Sequence, residues 1–152
     1  MIPLLRLALP HKSGRMTQVA STGIDEFVKI VVASAGQHPL LMRLTPILHI
    51  VLEHNVDYKT ALEFKRFLLN EMQTTGELIE QYFPFLPKNG GTQFLLHLQL
   101  VLIGLIQLSH PAPVVKKVIE KKGMEALQLN FEEKLREILT HLLYGIKAAD
   151  KE

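Results

Sequence analysis

The chain has 152 residues and a formal charge of +2, from 17 Lys and Arg against 15 Asp and Glu, with no Cys and no Trp. The absence of Cys removes disulfides, thiolate nucleophiles, iron–sulfur clusters and cysteine-bound zinc. Hydrophobic residues at 47% exclude whole-chain disorder, and so small a charge gives no argument for nucleic acid or anionic lipid.

Residues 1–21 carry no acid, contain Pro3, Pro10 and Gly14, and show no sustained period. They read as a tail or the remnant of a linker helix. Arg6 interrupts their apolar stretch, unlike the core of a secretory signal. The remainder, 22–152, reads as one domain.

Helical periodicity starts at Thr22. Thr22 and Asp25 are spaced as a variant capping box. Ile24, Phe27, Val28, Val31, Val32 and Ala35 then form one apolar stripe, ending near Gly36. His38-Pro39 opens a second helix, which Pro46 should kink or divide. Asp57 can cap a third, running to about Phe83 and weakened locally by Gly76.

Pro84, Pro87 and Asn89-Gly90-Gly91 predict a loop by turn chemistry. A fourth helix, about Thr92 to Ser109, is apolar almost all round, so it needs cover on more than one side. The 15-residue run from Phe94 to Leu108 holds His97, Gln99 and Gln107 and is short for a membrane span. Pro113 starts a short basic helix ending at Gly123. Asn130 and Glu133 make a capping box for a last helix, with Leu135, Ile138, Leu139, Leu142, Leu143 and Ile146 on one stripe. No strand is predicted; the class is all-α, with about six helices.

Catalytic signatures do not occur. There is no glycine-rich phosphate loop, no His-Glu-x-x-His, and none of the four Ser lies in a nucleophile elbow. His49 and Glu53 are four apart, but two ligands do not make a metal site. The sequence predicts no enzyme, no cofactor and no metal. The lysines at 116, 117, 121 and 122 alternate with Val114, Val115, Val118 and Ile119, the pattern of a solvated amphipathic helix.

The stretch His38-Pro-Leu-Leu-Met-Arg-Leu-Thr-Pro-Ile-Leu resembles a phrase common in TetR/AcrR-type regulators. The long helix 57–83 ending in Tyr-Phe-Pro is similar to that family's central helix. The segments Gly91-Thr-Gln-Phe-Leu-Leu-His-Leu and Leu129-Asn-Phe-Glu-Glu-Lys-Leu-Arg-Glu-Ile-Leu resemble the two helices of its dimer interface. The resemblance spans about residues 22–148. It implies a cytoplasmic homodimer held by a four-helix bundle, with a cavity for a small, largely apolar effector. Residues 1–21 contain no helix-turn-helix phrase, so no DNA-contacting residue is carried over and no membrane contact is expected.

Inward-facing stripes then nominate residues for each surface. Phe27, Met42, His49 and Phe64 are expected in the effector pocket, together with Leu68, Phe94 and His97. On the dimer face, Leu98, Leu102 and Leu105 of the fourth helix are expected to meet Leu135, Ile138, Leu142 and Ile146 of the last. An interaction protein that pairs with a full-length relative is the alternative, and a small helical enzyme the less favoured one.

Overall fold

The computed structural model describes residues 22–38, Leu40, Met42, Leu44, Ile47 and 54–149. The helices are α1 (Thr22–Gln37), α2 (Tyr58–Tyr82), α3 (Gly90–Ser109), α4 (Pro113–Ile119) and α5 (Phe131–Ala149), with a 3-10 turn at Glu125–Leu127. Among the described residues there is no strand. Leu40, Met42, Leu44 and Ile47 are helical, and the Met42 N–H donates to the His38 carbonyl at 3.0 Å, as expected for a helix opening at His38-Pro39. The expected kink at Pro46, the His49–Glu53 pair and the tail 1–21 lie outside the described residues.

The helix starts follow from capping chemistry. Asp57 sits before α2 in extended backbone, and its Oδ1 accepts from the Lys59 and Thr60 N–H groups at 3.0 and 3.1 Å. Its Oδ2 accepts from the Thr60 hydroxyl at 2.7 Å. These bonds satisfy donors that a first helical turn leaves orphaned. Asn130 does the same for α5, its Oδ1 accepting from the Glu133 N–H at 3.1 Å.

Three stripes converge to make the core. Ile24, Phe27, Val28, Val31, Val32 and Ala35 of α1 are all buried, as their spacing requires. Leu135, Leu139 and Leu143 of α5 pack on α1, and α3 lies between α2 and α5. The Phe27 ring meets Phe83 edge-on at 5.1 Å and Phe94 at 5.7 Å, and Tyr82 lies 6.2 Å away. Offset and edge-on rings favour each other electrostatically as well as by burial. Burial raises the Tyr82 phenol above its ordinary range, and the Glu26 carboxylate adds to the effect.

Two boundaries differ from the sequence expectation. Helix α3 begins at Gly90 rather than Thr92, so the glycine pair is helical. Its backbone lies against α2 at Gly76, where a side chain would collide. Asn89, with φ of 65°, takes the left-handed conformation just before the pair. Helix α4 stops at Ile119, and Gly123, with φ of 90°, turns the chain into the 3-10 turn.

Helix α3 is the one described helix long and apolar enough to cross a membrane by length and composition. Eight of its residues, from Gly90 to Ile106, are buried in the core.

Candidate functional site

The C-terminal ends of α1 and α3 and the N-terminal end of α5 come together. Between them lies a groove of about 410 Å³ with Ala35, Met42, Ile106 and Phe131 on its apolar walls and Glu132 at its edge. A second groove, of about 590 Å³, opens toward α4 and is bounded by Leu108, Lys116, Ile119 and Gln128. The two share one wall made of Ser109, His110, Leu129 and Asn130.

The chain's own bonds build that wall. Pro111 and Pro113 prevent α3 from continuing, so His110 closes the helix. The Ser109 hydroxyl lies 2.5 Å from the Leu105 carbonyl, to which it donates. His110 Nδ1 lies 3.1 Å from the Ile106 carbonyl and 3.0 Å from Ser109 Oγ. A carbonyl only accepts, and the one serine hydrogen is already committed. Nδ1 therefore carries a proton and donates. Across the second groove, Gln128 Nε2 donates to the Ile119 carbonyl at 2.7 Å, holding the arm of α4 folded on itself. Lys116 and Glu120 form an exposed pair at 4.0 Å, a geometry that contributes little to stability. Among the described residues, no three His, Asp or Glu cluster as a metal site would require.

Of the six described residues among the seven expected in a pocket, Met42 is the one on a groove wall. Phe27 and Phe94 are fully buried in the aromatic cluster and fill the interior themselves. Phe64 and Leu68 are half-buried on α2 and border neither groove, and His97 is exposed on α3. His49 lies outside the described residues. His110 and Asn130 were visible in the sequence only as a helix stop and a helix cap. Nothing local says that the two ends meet.

The outer surface of α3 is the second feature. Leu98, Leu102 and Leu105, expected to face a second subunit, are buried within the single chain, as is Leu135. They are core residues, because α3 turns that side toward α2 and α5. Ile138, Leu142 and Ile146 are half-buried at the core's margin. The uncovered side of α3 carries Leu96, Leu100 and Leu108, which are 45%, 69% and 63% exposed. Gly104 shares their helical row, and a Cβ there would meet nothing within 4 Å.

Helix order, core, helix-end groove and bare apolar helix face together define an all-α domain of packed helices. A family model described as the tetracyclin repressor-like C-terminal domain matches residues 9–150. The chain belongs to that family, which is one of regulators rather than enzymes. The match covers the His38-Pro39 phrase and both interface-like segments, and begins inside the stretch expected to be a tail. No curated protein and no solved structure matches the chain.

Proposed function

We propose that these residues are the effector-binding and dimerisation domain of a TetR-like transcriptional regulator. The observation that carries the reading is the bare apolar row on α3. Three leucines each at least 45% exposed in one row of a helix whose opposite side is buried in the core are costly in water. A second copy of the chain is the partner that covers them. The interface in this reading joins Leu96, Leu100 and Leu108 to the margin of Ile138, Leu142 and Ile146, two helices per subunit forming four. The helix-end grooves hold the effector. The reading uses no cofactor or metal, assigns no DNA contact to these residues and implies a cytoplasmic protein.

Sedimentation velocity at micromolar concentration tests it. Wild-type protein should sediment as a dimer, and Leu100→Glu as a folded monomer. A monomeric wild type would overturn the dimer. Co-expression with a full-length relative separates homodimer from mixed dimer, because the same face would serve both.

A further inference from the structure

We infer that the paired grooves take an apolar molecule bearing a hydroxyl group, an alcohol or a phenol, with the hydroxyl seated on His110 and Asn130. This rests on the effector-binding reading and names the chemical class of ligand for it.

On the shared wall His110 offers an acceptor and Asn130 a donor. Because Nδ1 of His110 donates toward the Ile106 carbonyl and Ser109 Oγ, the tautomer those bonds select leaves the lone pair on Nε2. Because Asn130 Oδ1 accepts from the Glu133 N–H, the amide NH2 is the part of that side chain left to donate. Each side chain is oriented by a bond to the chain's own backbone, so neither must be ordered by the ligand. A hydroxyl gives one hydrogen and receives one, and it matches this pair. A carboxylate would meet the Nε2 lone pair with another, and Glu120 and Glu132 already border the grooves. An ammonium would leave the Asn130 amide without an acceptor. Apolar walls flank the polar strip, Met42, Ile106 and Phe131 on one side and Leu108 and Ile119 on the other. The body of the molecule lies there, in the mixed environment usual for small-molecule sites.

The test is calorimetric titration of the full chain with 4-propylphenol, its methyl ether 4-propylanisole, and 4-propylbenzoate. The phenol should bind about tenfold more tightly than the ether, which cannot donate to His110, and more tightly than the benzoate. His110→Phe should bring the phenol down to the affinity of the ether. Asn130→Asp keeps the helix cap but loses the amide donor, and should weaken the phenol about fivefold with the melting temperature retained. Equal binding of phenol and ether, or tighter binding of the benzoate, overturns the inference. Phenol binding indifferent to both substitutions overturns the site while the effector-binding reading stands. Failure of all three compounds to bind overturns the inference, and sedimentation then reports separately on dimerisation.

Discussion

Gly76 of α2 and Gly91 of α3 meet backbone to backbone. A Cβ on Gly76 would fall 2.6 Å from the Thr92 amide nitrogen, and a Cβ on Gly91 would run into the Gly76 carbonyl. The Gly91 N–H donates to Glu80 Oε1 at 3.0 Å, fastening the same crossing and satisfying a first-turn donor of α3. Helix α3, which carries both the groove wall and the bare leucine row, takes its position from this contact.

Gly91→Ala should therefore cost about 3 kcal/mol, since rigid backbone must move to admit the methyl group. Gly145→Ala is the contrast. A Cβ there meets nothing within 4 Å, so the helical preference of Ala should add about 0.5–1 kcal/mol. Urea denaturation of both variants measures the difference.

The two sides of α3 should respond oppositely to charge. Leu102 is fully buried, and Leu102→Glu should unfold the chain by placing an unpaired carboxylate in the core. Leu100 is 69% exposed, and Leu100→Glu should keep the helical circular dichroism while abolishing self-association. Circular dichroism with sedimentation reads both properties. Retention of native helicity in Leu102→Glu would show that α3 is rotated from the position described.

Phe27 anchors the aromatic cluster and is fully buried, so Phe27→Ala should cost about 3–5 kcal/mol. Phe64 is half-buried and outside both grooves. Phe64→Ala should cost less than half as much and leave ligand titrations unchanged. Chemical denaturation and calorimetry check the pair.

Acid should loosen the start of α2. The Thr60 hydroxyl, with the Thr60 and Lys59 N–H groups, holds the Asp57 carboxyl below its ordinary value of 3.8. A depressed acid contributes stability that is fully present above the unfolded value. That stability is lost as pH falls through the folded one. The wild-type melting temperature should fall below pH 3.8 more steeply than that of Asp57→Asn, whose cap does not titrate. Parallel curves would remove Asp57 from the acid response.

Much of this was legible locally. The α1 stripe from Ile24 to Ala35 is buried residue for residue, and the caps at Asp57 and Asn130 form as spaced. Periodicity and capping are properties of a few neighbouring residues, and they survive folding unchanged. The phase of α3 was not legible. A helix apolar almost all round has no moment to say which side turns inward, and Leu98 and Leu100 look equivalent until α2 and α5 choose between them. Gly90-Gly91 failed for the same kind of reason. Two glycines read as a turn until a second helix needs their missing side chains.

The sequence by itself determined the all-α class, the caps at Asp57 and Asn130, the family and the absence of familiar catalytic motifs, because each rests on short-range pattern. Tertiary structure alone decided which leucines are core and which are bare, and brought His110 and Asn130 onto one groove wall. Burial and convergence depend on which surfaces distant segments cover, and α1, α3 and α5 bring together residues as far apart as Ala35 and Glu132.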